Sequence, residues 1–298
     1  MSTSRGTIAI VGGSGQLARA LAVGARLRGL DAVSLSRPRI DLERPQTLAP
    51  ALDAVRPVLV INAAAFTAVD LAESQEPRAH VVNALAPAEM ARWCAASGAW
   101  LMHISTDYVF DGSASSPYLP DHPAHPLNAY GRTKAEGEAL IRAGLARHLI
   151  VRTAWLHDET GRNFLTTMLD LAAGRDEIAV VADQKGTPTY AADLASGLLA
   201  MAARVLADPA DAPPGTFHLT SAGQTSWYGF AEAIFAAWAA RGHKAPRLTP
   251  TTTAAWPTPA RRPLYSVLDC SATARTFGIA LPHWRDGLAR CFAARDRA

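Results

Sequence analysis

The stretch "TIAIVGGSGQLARAL", starting at Thr7, constrains this chain more than any other. An apolar, β-rich run breaks into glycine and continues as a helical pattern, so it reads as a strand turning into a helix. Gly12, Gly15 and Ala18 cross that turn in a G-x-x-G-x-x-A spacing. Glycine permits the tight turn and close backbone approach, and the free N–H groups of a helix start favour a pyrophosphate. Gln16 and Leu17 open the helix beside Gly15 and are expected among the cofactor contacts. An ordinary βα turn is the alternative; a place at the first strand-to-helix junction favours a dinucleotide site.

Beyond that loop, apolar runs "DAVSLS", "PVLVINAA", "WLMHIST" and "HLIVRTAW" alternate with helical patterns. Runs apolar through most of their length suit strands buried on both faces, and the strand–helix rhythm predicts an α/β fold with a doubly wound parallel sheet. Leu17, Leu21, Gly24 and Ala25 form one helical face, and Val81, Leu85 and Met90 belong to another. After "RTAWLH" the rhythm loosens into a helix around residues 163–173, a strand-like "IAVVAD" and a helix after "QKGTPTY". "GTFHLTSAG" reads as a returning strand, and "TPTTTAAWPTP" as an exposed loop. The expected division is a Rossmann-type nucleotide-binding domain over residues 1–155 with a return segment at about 186–221. Residues 156–185 and 222–298 form the smaller substrate-binding region.

The end of the second strand bears on the nucleotide. A carboxylate there would accept from the ribose 2′-hydroxyl of NADH, but this chain has Ser36 and Arg37 in "SLSRPRIDL". A guanidinium there suits a 2′-phosphate, so NADPH is expected, with NADH possible; a solvated surface arginine is the bland alternative. Asp41 and Leu42, in the next turn, are expected to flank the adenine.

Composition excludes several classes. The 29 basic and 26 acidic residues are scattered over 298 positions, without the basic stripe a nucleic-acid partner requires. The longest apolar stretches fall short of a membrane span, and "MSTSRG" is too short and polar for a signal sequence. Cys94, Cys270 and Cys291 lack metal-ligand spacing and are odd in number, which fits a reducing compartment. A cytoplasmic protein without bound metal is expected, as a monomer or homodimer.

In "NAYGRTKAEGE", Tyr130 stands four residues before Lys134, which places both on one helical face. A lysine there would favour the phenolate and make the tyrosine a usable proton donor. Upstream, "WLMHISTDYVFDG" ends in Ser105, Thr106 and Asp107, at the carboxyl end of a strand, where open α/β sheets place their chemistry. A hydroxyl there can hold a substrate carbonyl, Tyr130 can protonate the oxygen that becomes an alcohol, and Lys134 can hold tyrosine and nicotinamide ribose. Alone, Thr106 would be a strand-end hydroxyl capping a turn. With the glycine loop and the Tyr130/Lys134 pair, in this chain order, the set reads as hydride-transfer apparatus.

These segments, together with "INAAAFTAVDLAES", "VNALAP", "PYLPDHPAHPLNAYGRTKAEGE", "DQKGTPTYAADLA" and "RRPLYSVLD", resemble the dTDP-4-dehydrorhamnose reductase family of extended short-chain dehydrogenases/reductases, over nearly the whole chain. The resemblance implies NAD(P)H-dependent reduction of the 4-keto group of dTDP-4-dehydro-β-L-rhamnose. It implies Thr106 as the carbonyl-polarising hydroxyl, Tyr130 as the acid, Lys134 as its electrostatic partner and Asp107 as an assistant near the sugar. Ala63, Ala64 and Ala65 would wall the cofactor, and Asn83 would support the active-site backbone. Tyr108, Trp155 and Arg262 would meet the dTDP-sugar, Arg262 at the diphosphate. Core packing for Trp155 and a surface charge for Arg262 are the alternatives.

Three positions depart from the family's pattern. Ala18 replaces a third glycine, Phe66 stands where many members carry Tyr or His, and Ala20 replaces a glutamate of a metal-dependent dimer contact. No metal site is predicted. A related 4-keto-6-deoxy sugar, or a non-catalytic protein of the same fold, remains an alternative. A dehydratase would carry glutamate after Asp107, where this chain has Tyr108.

Overall fold

The computed structural model describes residues 6–297; residues 1–5, which carry most of the segment read for targeting, lie outside the described residues. Six strands, β1 (Ile8–Val11), β2 (Ala32–Leu35), β3 (Leu59–Asn62), β4 (Trp100–Thr106), β5 (His148–Thr153) and β6 (Gly215–His218), form one sheet in the order β6-β5-β4-β3-β1-β2. Every pairing in it is parallel. The chain runs outward from β1 to β2 and then crosses back to β3, so the direction of winding reverses between β1 and β3. That reversal opens a crevice at the carboxyl ends of the strands.

Alternate strand residues enter two different cores. Ile8, Ile10 and Ile61 pack against α1 (Gln16–Leu27) and a later helix, Ala191–Ala207. Ala9, Val11 and Val60 pack on the other face against Leu48–Val55, Ala86–Ser97 and the helix α2 (Ala129–Gly144). Each fully buried aliphatic side chain contributes on the order of 1.5–3 kcal/mol relative to exposure, so the two cores fix where the strand ends lie. A third core joins the helices Phe164–Ala172, Trp227–Ala239 and Trp284–Arg295 and lies beyond the sheet.

Two expectations change. Val81 to Leu85 form a π-helical turn instead of continuing an α-helical face, which turns Val82, Asn83 and Ala84 inward and leaves Leu85 exposed. The start of "TPTTTAAWPTP" is not loop: Arg247–Thr251 pairs in parallel with Glu177–Val181, so the strand-like "IAVVAD" finds its partner outside the central sheet.

Candidate active site

The glycine loop sits at the mouth of the crevice. Gly12 has φ +129, a backbone region L side chains rarely adopt, and a Cβ there would lie 3.1 Å from the Ala18 Cβ. Alanine at position 18 is therefore as large as this contact accepts. Gly13 presses on Ser36, whose Cβ would be 2.7 Å from a Cβ at Gly13, which sets the end of β2 against the loop. Gly15 is the N-cap of α1; no side chain caps the helix, its first turn carries no acid, and a Cβ at Gly15 would meet nothing within 4 Å. Open space in front of uncapped N–H groups fits a pyrophosphate.

Around that cradle, a Cβ at Gly12 would lie 3.6 Å from the Ala63 carbonyl carbon and from the Ala64 Cβ, and Arg37 is exposed beyond Ser36. Gln16 donates to the Leu156 carbonyl at 3.2 Å, tying the start of α1 to the segment after β5. The Asp41 carboxylate accepts from the Glu43 N–H, holding the turn after β2, and Leu42 packs on the second core.

Helix α2 is docked by its glycines. A Cβ at Gly131 would stand 2.1 Å from the Tyr108 carbonyl oxygen, and one at Gly137 would stand 2.2 Å from that of Asn83. Asn128 caps the helix by accepting from the Gly131 N–H at 2.8 Å and donates to the Arg261 carbonyl at 2.7 Å, joining it to the C-terminal "RRP" segment. Asn83 brackets the Phe66 backbone, accepting from its N–H and donating to its carbonyl, and also donates to Thr133 on α2. It thereby holds the backbone after β3.

Thr106 ends β4 and accepts from the Tyr108 N–H, with its hydroxyl 3.0 Å from the Asp107 carboxylate. Burial pushes Asp107 up to about 6, with Ser266 and Thr106 opposing the shift by hydrogen bonds. Burial likewise pushes Tyr130 up to about 12, opposed by the Thr106 hydroxyl. The expected ammonium–phenol pair is replaced by other contacts: Lys134 Nζ donates to the Ile104 carbonyl at 2.6 Å and lies 3.0 Å from His103 Nε2. The Ile104 carbonyl accepts from the buried amine, and Tyr130 remains a proton-bearing phenol.

Tyr108 meets Tyr130 edge to face at 5.6 Å. Arg262 reaches this neighbourhood with its guanidinium on both oxygens of Asp70, at 3.0 and 2.8 Å, and holds that carboxyl below its usual range. Trp155 has φ +46 and stacks on Trp227 at 3.5 Å, close against Gly186.

Four contributors escaped the sequence reading: Asn62, His103, Glu138 and Trp227. Glu138 extends the Tyr130/Lys134 spacing by one more turn and is fully buried on Arg152 of β5, at 2.9 and 2.6 Å. That i, i+4, i+8 series was visible. Trp227 follows a Ser226 cap in a segment that gave no periodic signal, and His103 stands in an otherwise apolar strand.

The chain matches the family described as RmlD substrate binding domain over residues 6–296. It is 45% identical over 294 residues to the dTDP-4-dehydrorhamnose reductase of Burkholderia thailandensis, covering 95% of this chain and 97% of the relative. The crystal structure of a dTDP-4-dehydrorhamnose reductase from Clostridium acetobutylicum superposes with a TM-score of 0.89 at 36% identity, over 97% of this chain and 99% of that one. The Bacillus anthracis dTDP-4-dehydrorhamnose reductase in complex with NADP gives 0.88 at 33% identity, with the same coverage. Matched over residues 6–296 by a family model and over 95–97% of its length by these relatives, this chain belongs to the RmlD substrate-binding-domain family of dTDP-4-dehydrorhamnose reductases.

Proposed function

We infer that the protein reduces the 4-keto group of dTDP-4-dehydro-β-L-rhamnose to dTDP-L-rhamnose, with NADPH as reductant. The observation that carries the reading is the convergence of Thr106, Tyr130 and Lys134 at the end of β4, in the same crevice as the uncapped start of α1. NADP in the Bacillus anthracis relative and reductase activity in the names of relatives at 33–45% identity support it.

Gly12, Gly15 and the α1 N-terminus would hold the pyrophosphate, with Ser36 and Arg37 at the adenosine ribose and the Ala63–Ala65 wall beneath the dinucleotide. Bound NADPH supplies hydride to the keto carbon. Thr106 holds the keto oxygen, and Tyr130 delivers a proton to it as charge develops. A phenol held near 12 still protonates an alkoxide, the stronger base, and burial keeps that proton in place until it is needed. Lys134 anchors the ribose side of the site, and Arg262 supplies the cation for the diphosphate once the substrate competes with Asp70. Tyr108 and Trp155 shape the sugar side.

No described helix is long and apolar enough to cross a membrane. A nucleotide-sugar substrate and a reduced dinucleotide support a cytoplasmic reaction. The test is to incubate the purified protein with dTDP-4-keto-6-deoxyglucose, a 3,5-epimerase and NADPH and identify the sugar by NMR. Formation of dTDP-L-rhamnose supports the reading, and NADPH left unoxidised sinks it.

A further inference from the structure

Three buried side chains behind the catalytic helix form a line whose hydrogen bonds admit one consistent arrangement of protons. Asn62, the last residue of β3, accepts at Oδ1 from the Ala64 N–H at 3.2 Å, which leaves its Nδ2 facing His103 Nδ1 at 3.0 Å. An amide NH2 can only donate, so Nδ1 is the acceptor and the neutral ring carries its proton on Nε2. That Nε2 stands 3.0 Å from Lys134 Nζ. Facing a ring N–H, Nζ must accept, and only a neutral amine has the lone pair to do so. Its own hydrogens then include one for the Ile104 carbonyl at 2.6 Å. An ammonium in this place would set donor against donor, unless Asn62 turned its amide over and set its NH2 against the Ala64 N–H.

We propose that Asn62 and His103 are positioning residues for the reduction, which fix the Lys134 amine in place and couple its protonation to the tautomer of His103. The inference rests on the reductase reading for its catalytic meaning, but not for its proton arrangement. Asn62, His103 and Lys134 are all buried, the first two at 0% exposure. Burial, with the neighbouring Lys134 charge, holds the His103 ring well below its ordinary value, which keeps it neutral, and burial lowers the Lys134 amine to about 8. The titratable groups that bear on Lys134 are His103 on β4 and Glu138 one turn further along its own helix; Tyr130 stands one turn before it, with Asp107 acting on Tyr130 from the turn after β4. Glu138 favours the ammonium, but its carboxylate is held by Arg152 and Arg142, and burial outweighs it. A lysine poised between its two states can hold the ribose and follow the proton that Tyr130 gives up, whereas a permanent ammonium could only attract.

The chain has three lysines, Lys134, Lys185 and Lys244, the latter two exposed, so 13Cε-lysine labelling gives three resonances to follow. In the wild type, Lys134 titrates below Lys244, and long-range 1H–15N spectra place the His103 proton on Nε2. Asn62→Asp offers acceptors to both the Ala64 N–H and the His103 ring, so the ring proton moves to Nδ1 and Nε2 becomes an acceptor for an ammonium. The Lys134 midpoint then rises by about one unit or more, and the basic limb of the kcat profile moves with it while KM for NADPH changes little. Asn62→Asp in a His103→Phe background loses most of that rise, which separates the tautomer from a plain charge effect. An Nδ1 proton on wild-type His103, an unmoved Lys134 midpoint in Asn62→Asp, or an equal rise in the double variant overturns the proposal. The wild-type tautomer decides it even if a variant fails to fold. A wild type that passes the NMR tests yet reduces no keto sugar overturns the reductase reading and leaves the proton arrangement standing.

Discussion

The backbone of Gly131 meets the Tyr108 carbonyl so closely that a Cβ at Gly131 would lie 2.1 Å from that oxygen. Glycine inside an exposed helix costs about 1 kcal/mol relative to alanine, so Gly131→Ala would normally stabilise. Here the sign reverses, because the obstructing atom is backbone and cannot rotate away. Gly131→Ala and Gly137→Ala are expected to lower stability by roughly 1–3 kcal/mol and to reduce turnover by moving Tyr130 off the end of β4. Gly144, on the same helix with nothing within 4 Å of its Cβ, is the control. Gly144→Ala is expected to be neutral or stabilising, and thermal melts of the three variants decide the point.

Tyr130 tests the chemistry directly. Tyr130→Phe keeps the ring against Tyr108 and removes only the hydroxyl that carries the proton, so NADPH affinity should hold while turnover falls by about 10²- to 10⁴-fold. Stopped-flow measurement of NADPH oxidation at saturating substrate reads this. Near-normal turnover with hydride transfer rate-limiting would remove Tyr130 from the mechanism.

The fold was legible where the chain repeats a period. Runs apolar on both faces gave the sheet strands, and the glycine turn after β1 was marked by chemistry that only a close backbone approach requires. In the candidate site, spacing gave the face that Tyr130 and Lys134 share on α2, and the strand end gave the place of Thr106. What escaped depends on which partner a buried polar group meets across the sheet. Lys134 and Tyr130 share a helical face, yet the amine turns to His103 and the Ile104 carbonyl on β4, a choice that periodicity does not encode. The π-turn at Val81–Leu85 escaped for a similar reason: α2 packs on Asn83 at Gly137, a contact distant in sequence from the residues it reshapes.

Arg37 is exposed beyond Ser36, where Gly13 fixes the end of β2 against the glycine loop. A guanidinium free at that place suits a 2′-phosphate, so NADPH should be used at least as well as NADH. Arg37→Asp is expected to shift kcat/KM toward NADH by about tenfold or more, the scale of one charge-assisted hydrogen bond. A wild type that strongly prefers NADH would show that Arg37 does not face the ribose.

Arg262 and Asp70 pair through two hydrogen bonds, with the Asp70 side chain 42% exposed. If the guanidinium serves the diphosphate, the two carriers of negative charge compete for it. Arg262→Ala is expected to weaken dTDP binding by about tenfold, while Asp70→Asn should tighten it by freeing the guanidinium. Calorimetry with dTDP alone separates the outcomes. Unchanged affinity in both variants would assign the pair to holding the "RRP" segment against the Val69–Ser74 helix.

Asp107 gives the site a pH signature in stability. Its folded value is raised, from 3.8 to about 6, with burial the foremost cause. A carboxyl of raised value binds its proton more tightly when folded, so its stabilising contribution is fully present below about 4 and is lost as pH rises through about 6. Above that, the buried carboxylate costs on the order of 2–3 kcal/mol, the free-energy equivalent of a shift of about two units. Asp107→Asn cannot ionise and escapes that cost. Measured by urea unfolding, the stability of Asp107→Asn relative to wild type should therefore improve by about 2–3 kcal/mol between pH 4 and pH 7.5, with most of the change between about 4 and 6. The introduced amide would leave an N–H unpaired where Asp107 Oδ2 already lacks a partner, so the variant need not be the more stable protein at either pH. Only the difference between the two pH values carries the test, and a gap that stays constant would mean that Asp107 is not held above its ordinary range.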